Sequence, residues 1–136
     1  MKENKLIINI QKPVNYIFDY TINPINTPKW IKNIQIEETN EWPIKIGTIY
    51  RNKNNSGQWS EYSVSDLKQN RFFELKTKDG NYHVHYSYKP IDKNNTKLEY
   101  FEWVENGELL DPFTHDILER LKSAIEGPNE KISKRT

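Results

Sequence analysis

Apolar and polar positions alternate through the middle of the chain and switch to three- and four-residue spacing near each end. "KLIINI" (5–10) is short and rich in β-branched residues and reads as a strand. Pro13 suits the first turn of a helix, and Val14, Ile17, Phe18 and Ile22 recur at helical spacing behind it. Asn23-Pro24 ends that helix, because the residue before a proline is pushed out of the helical region. Thr27-Pro28 then opens a second short helix with Thr27 as its N-cap.

From there the signals are those of strands. "NIQIEET", "GTIYRNK", "QWSEYSVSDL", "RFFELKTK", "NYHVHYSYKP" and "KLEYFEWVE" are separated by turn-forming stretches such as "NNSG", "KDGN" and "DKNN". Such short connections imply antiparallel neighbours. Tyr82, Val84, Tyr86 and Tyr88 fall on one face with His83, His85 and Ser87 on the other, and Leu98, Tyr100 and Val104 oppose Phe101 and Trp103. A last stripe, Leu110, Phe113, Ile117, Leu118, Leu121 and Ile125, predicts a closing helix of about four turns. Asp111 is its expected cap, Pro112 its first residue, and Gly127-Pro128 its end.

Length makes this one domain: 136 residues hold a single core and are too few for two ordinary ones. The expected boundaries are 1–127 for the domain and 128–136 for a polar, frayed tail. Four tryptophans, eight tyrosines and five phenylalanines mean that the core leans on large amphipathic rings, which wall cavities as well as fill cores. The formal charge of +1 comes from 20 bases and 19 acids, so no electrostatic grip on nucleic acid or an anionic membrane is expected. With no cysteine there is no disulfide framework, thiolate metal site or cysteine nucleophile. The N-terminal "MKENKLIINIQKP" lacks the apolar run and small-residue site of a signal peptide, and no segment approaches the roughly 20 apolar residues of a membrane span. The expected location is cytoplasmic, without integral membrane association.

Strand, two short helices, a run of antiparallel strands and a closing helix make an α+β layer. The opening "INIQKPVNYIFDYTINPINTPKWIKNI" resembles that of the START-like, Bet v 1-like superfamily, including bacterial polyketide cyclase/dehydrase-type proteins. It shares with them a strand, a helix start at Pro13-Val14, an aromatic at Phe18, then a proline and Trp30. "KIGTIYR", "EYSVSDLKQNRFFEL" and "NNTKLEYFEW" follow at the family's intervals, with Gly47-Thr48 and Thr96-x-Leu98 each opening a strand, so the resemblance covers roughly residues 5 to 126. It implies a helix-grip fold, in which a curved antiparallel sheet wraps a long C-terminal helix and two short helices follow the first strand. It also implies a cavity between sheet and helix, closed at one end by the helical pair, with Trp30 as plug or gate. Two departures stand out. The closing helix is shorter than in larger members, which implies a smaller cavity, and Asn70 stands where a proline is common.

Chemistry-bearing residues are sparse. His83 and His85 share a strand face as a metal pair would, but a third ligand, from Glu102 or Glu74, is unmarked, and neither a metal nor a cofactor is expected. For acid/base work the candidates are Glu102, which shares its face with Leu98, Tyr100 and Val104, and Arg51, which with Glu61 sits on facing or nearby strands, where the two could pair with Glu102 or with each other. His115, beside Asp116 and one turn from Glu119, reads as a solvated helix residue. No nucleophile elbow or phosphate-cradling glycine loop is present, and the terminal "KISKR" reads as solvated.

The aromatic residues carry the strongest signal. Trp30, Tyr62, Phe73, Tyr82, Tyr86 and Tyr100, with Phe113 and Ile117 from the closing segment, are the candidate ligand-binding residues. The faces of Trp59 and Trp103 are open, because a one-residue register shift moves them outside, where they would mark a dimer contact. The leading expectation is a non-catalytic carrier or sensor, monomer or homodimer, of a small hydrophobic molecule such as a lipid, a polyketide-like aromatic or an isoprenoid. The alternatives are a cyclase/dehydrase-type enzyme that moves a proton with Glu102 or Arg51, and a co-chaperone-like interaction module.

Overall fold

A computed structural model describes residues 1–127. The expected tail at 128–136, its "KISKR" and Pro128 lie outside the described residues. Seven strands form one antiparallel sheet: β1 (Glu3–Ile10), β2 (Ile34–Thr39), β3 (Ile49–Asn54), β4 (Trp59–Lys68), β5 (Phe72–Thr77), β6 (Tyr82–Asp92) and β7 (Asn95–Val104). Their spatial order is β1-β7-β6-β5-β4-β3-β2. After β1 the chain therefore crosses to the far edge of the sheet and meanders back strand by strand. The crossing is made by α1 (Val14–Ile22) and a 3-10 helix (Pro24–Lys29), and α2 (His115–Glu126) closes the chain.

Alternation decides the faces. Val84, Tyr86 and Tyr88 of β6 and Leu98 and Tyr100 of β7 are buried under the helices, whereas Phe101, Trp103, His83 and His85 line the outer face. Bulges between Ile34 and Ile36, between Val64 and Asp66, and between Pro90 and Asp92 add local twist and bend the sheet. Leu118, Leu121 and Ile125 of α2 pack into the concave side with Ile10, Ile17 and Leu98. This is the expected helix-grip architecture.

Two helix starts differ from expectation. The 3-10 helix is capped by Asn23, whose side-chain oxygen accepts from the Ile25 N–H at 3.1 Å, and Thr27 lies inside it. Thr27 is drawn away by tertiary structure: its hydroxyl donates to Glu37 Oε1 at 2.6 Å. The closing helix begins at His115, not after Asp111, and its 12 residues make about three turns rather than four. Asp111 sits in the left-handed region at φ 52° and caps nothing, and Leu110 is 87 % exposed, off the apolar stripe. Phe113 precedes the helix, held in place by contacts described below.

The turn before β5 explains the departure at Asn70. Its φ is 61°, a left-handed conformation that asparagine tolerates and that proline, locked near −65°, cannot adopt. Asn70→Gly is therefore expected to stay within about 1 kcal/mol of wild type in urea unfolding, and Asn70→Pro to lose more than about 1 kcal/mol. Equal midpoints for the two variants would contradict this account of the turn.

Candidate functional site

Between the concave sheet and the helices lies a cavity of about 100 Å³. Its floor is the inner face of the central strands, with Phe73 and Leu75 from β5, Tyr82, Val84 and Tyr86 from β6, and Tyr100 from β7. The roof is Thr21 of α1, Thr27, Trp30, Ile31 and Phe113. At the β2–β3 edge the wall is completed by Ile34, Glu37, Tyr50, Asn52 and Tyr62. The fold thus brings Trp30, Tyr62, Phe73, Tyr82, Tyr86, Tyr100 and Phe113 together around one space. Ile117 is not on that wall and packs against the core instead.

The rings are locked edge to face. Trp30 meets Tyr86 at 6.5 Å and Phe113 at 6.1 Å between ring centroids, and Tyr100 meets Tyr86 at 5.3 Å, all near perpendicular. Phe113 stacks flat on Tyr100 at 4.3 Å. Trp30 is 2 % exposed, and its indole N–H has no acceptor among the described residues. A buried donor without a partner is uncommon in a folded protein and marks a place where a ligand or water can bind.

Glu102 is the pivot behind this wall. It is 2 % exposed and accepts from Asn4 Nδ2 at 2.8 Å, the Tyr82 hydroxyl at 2.6 Å, the Phe113 backbone N–H at 2.7 Å and, at 3.5 Å, the Tyr100 hydroxyl. Asn4 also donates to the Phe113 carbonyl at 2.9 Å. Both backbone polar groups of Phe113 are thereby taken, which is why its segment does not join α2 as the local cap signal suggested. Burial and the nearby Glu102 charge hold the Tyr82 phenol well above its ordinary pKa, and burial does the same for Tyr100.

Arg51 is not with Glu102. It lies on the outer face of β3, pairs with Glu38 at 3.5 Å and covers the Trp59 ring at 4.6 Å, while Glu61 is exposed opposite it. This placement follows from register: Arg51 sits between Tyr50 and Asn52, which both point inward. Trp59, at 44 % exposure, and Trp103, stacked on His83 at 4.6 Å, both take the outer face.

The histidines likewise find single carboxylates. His85 Nδ1 lies 2.8 Å from Glu74, His83 Nε2 3.1 Å from Glu105 without hydrogen-bond alignment, and His115 Nδ1 3.4 Å from Glu119. Among the described residues no three potential metal ligands converge.

Sequence reasoning missed Glu37, and with it Tyr50 and Asn52. Strict alternation from Ile34 and Ile36 puts Glu37 outside, but the bulge between those two isoleucines reverses the phase, so Ile36 is 44 % exposed and Glu37 turns inward. Glu37 accepts from Thr27 at 2.6 Å and Asn52 at 3.1 Å, and it has no ion-pair partner among the described residues. Desolvation raises its pKa above the ordinary carboxylate value, and the two hydrogen bonds only partly offset this. The Tyr-x-Asn alternation of "IYRNK", opposite a carboxylate of the edge strand, is the signal that could have found it.

No protein-family model matches the sequence, and no curated protein matches it. Solved structures do match. A START superfamily protein from Mycobacterium smegmatis superposes with a TM-score of 0.68 at 15 % identity, covering 97 % of this chain and 99 % of its own. The Aha1 dimer from Colwellia psychrerythraea gives 0.69 at 16 % identity, covering 93 % and 97 %. A conserved protein from Enterococcus faecalis gives 0.71 at 18 %, covering 93 % and 72 %. The chain has the START-like, Bet v 1-like fold. At these identities the likeness extends to architecture alone, and a START-like frame hosts many activities. Among the described residues, no helix of this START-like domain is long and apolar enough to cross a membrane.

Glu102→Ala strands three or four buried donors and should cost about 3 kcal/mol or more in chemical unfolding, whereas Arg51→Ala should cost less than about 1 kcal/mol. Glu37 has a folded pKa above its unfolded one, so wild type should lose stability as pH rises through that interval. Glu37→Gln should therefore gain on wild type from acid to neutral pH, with the difference vanishing below the unfolded carboxylate pKa. A pH-independent difference would contradict a partly desolvated Glu37 carboxylate.

Proposed function

We propose that this protein binds a small, largely hydrophobic molecule in the cavity between sheet and helices, as a carrier or sensor. The observation that carries the reading is the wall itself: aromatic rings from the sheet, the crossover and Phe113 line a partly open space, and the same wall holds the Glu37 carboxylate and Trp30, whose indole N–H has no acceptor among the described residues. Ligand pockets have this composition, apolar lining with few placed polar groups. Trp30, Tyr62, Phe73, Tyr82, Tyr86, Tyr100 and Phe113 are the proposed contacts. Ile117, packed against the core, is not among them.

Size narrows the ligand. Drug-sized pockets span about 300–1,000 Å³ and benzene occupies a cavity of about 150 Å³, so about 100 Å³ suits a group of one small ring or less. A lipid chain, an isoprenoid or a folded polyketide would require Trp30 and the 3-10 helix to move aside, the gating role expected of that residue.

The enzyme reading has weaker support. Glu102 is buried but off the cavity wall, with both oxygens occupied, and Arg51 is on the opposite face of the sheet. A homodimer is compatible with the Aha1 dimer among the neighbours, and the outer-face Trp59 is a contact it could use.

The test is uptake of a monocyclic aromatic such as indole, followed by the Trp30 indole resonance, in wild type and in two variants that fill the space, Val84→Phe and Leu75→Phe. Wild type should bind, and each filled variant should lose at least about tenfold in affinity while keeping its cooperative unfolding. Failure of wild type to take up any small probe would overturn the proposal. Trp30→Ala should lose about 3 to 5 kcal/mol of stability as a buried wall residue; a much smaller loss with strongly altered uptake would mark it as a gate.

A further inference from the structure

The cavity is electrostatically one-sided. Among the described residues its wall contains one acid, Glu37, and no lysine, arginine or histidine. Glu37 is held by two neutral donors, Thr27 and Asn52, and no cation pairs with it among the described residues. Arg120 comes near, but its Nε donates to the Trp30 backbone carbonyl at 3.2 Å, and it is not part of the wall. Behind Tyr82 stands a second acid, the buried Glu102, one hydrogen bond from the cavity and also held by neutral donors.

Eight aromatic residues form about half of the remaining wall, the rest being aliphatic (Ile31, Ile34, Leu75, Val84) or neutral polar (Thr21, Thr27, Asn52). Faces of tryptophan, tyrosine and phenylalanine rings carry negative quadrupole potential, which adds to the field of a carboxylate. The phenols do not oppose it, since burial keeps Tyr50, Tyr82 and Tyr86 protonated and neutral through the physiological range. An anionic head, such as that of a fatty acid, would meet Glu37 with no counter-charge among the described residues of the wall. A neutral hydrocarbon would fill the space but leave the carboxylate uncompensated.

The geometry points to a small organic ammonium, of the trimethylammonium class, as the preferred occupant, with Glu37 as its counter-ion and the rings of Trp30, Tyr62 and Tyr86 as its cage. Such a group is compact, it is apolar at its methyl surface, and it carries the positive charge that the cavity lacks. Aromatic recognition of quaternary ammonium follows the same physics. The inference rests on the cavity being a ligand site, as proposed above, and adds the sign of the ligand's charge. It also explains why a fold would keep a carboxylate whose desolvation costs stability: the cost is recovered only when a cation enters.

Three probes of nearly one shape separate the possibilities: choline, its uncharged carbon isostere 3,3-dimethyl-1-butanol, and the anion 3,3-dimethylbutyrate. Each is titrated into the full chain by calorimetry and by the Trp30 indole resonance, at constant ionic strength. Choline is expected to bind at least about tenfold tighter than the alcohol, and the carboxylate not to bind. Glu37→Gln should bring choline down to the level of the alcohol without weakening the alcohol. Because the three-probe comparison in wild type stands alone, the result does not hang on the variant. If the alcohol binds as tightly as choline, or Glu37→Gln leaves choline unaffected, cation preference is overturned while a ligand cavity stands. If no probe binds and indole does not bind either, both this inference and the ligand-cavity reading fall.

Discussion

One buried carboxylate ties the structure together. Glu102 accepts hydrogen bonds from β1 through Asn4, from β6 through Tyr82 and from the segment before α2 through the Phe113 backbone. Those elements are distant in sequence, and they meet at a single 2 % exposed side chain. The stack of Phe113 on Tyr100, and with it part of the cavity roof, depends on that junction. A buried acid with no cation beside it among the described residues is an expensive way to join elements, and it succeeds here because donors reach both of its oxygens.

The second constraint is the crossover. β1 pairs with β7 while the chain between β1 and β2 travels to the opposite edge of the sheet. That path has to lie over one end of the concave face, and the prolines at 24 and 28 keep it in short helical pieces rather than one long helix. Trp30 is set down at the end of this path, over Tyr86, where it is wall and roof at once. The Tyr50 hydroxyl donates to the Ile22 carbonyl at 2.5 Å and Thr21 meets the Tyr88 hydroxyl at 2.5 Å, so the sheet fastens the crossover from beneath with polar contacts inside an apolar core.

Among the strands, the candidate site was legible where register is regular. On β6 and β7 the two-residue period placed Tyr82, Tyr86, Tyr100 and Glu102 on the inner face, because register there is unbroken over those positions. On β2 a bulge reverses the phase, and Glu37 enters the cavity where counting would have left it in water. Arg51 failed as a partner of Glu102 for a simpler reason: its neighbours Tyr50 and Asn52 occupy the inner face, and cross-strand proximity to Glu61 says nothing about which side both occupy. The closing helix was misplaced at its start because Asp111-Pro112 is a good local cap, and long-range bonds to Phe113 outweigh it.

Local pattern by itself determined the element types, their order, the antiparallel meander and the α+β class, since hydrophobic period and turn chemistry act over a few residues, while the helix-grip architecture came from the family resemblance. Tertiary structure decided the rest. It set the volume left between sheet and helices, the inward turn of Glu37, the outward faces of Trp59 and Arg51, and the orphaned indole of Trp30. Those properties depend on how bulges and side-chain bonds between distant segments share out a small interior, and such sums of long-range contacts leave no trace in spacing along the chain.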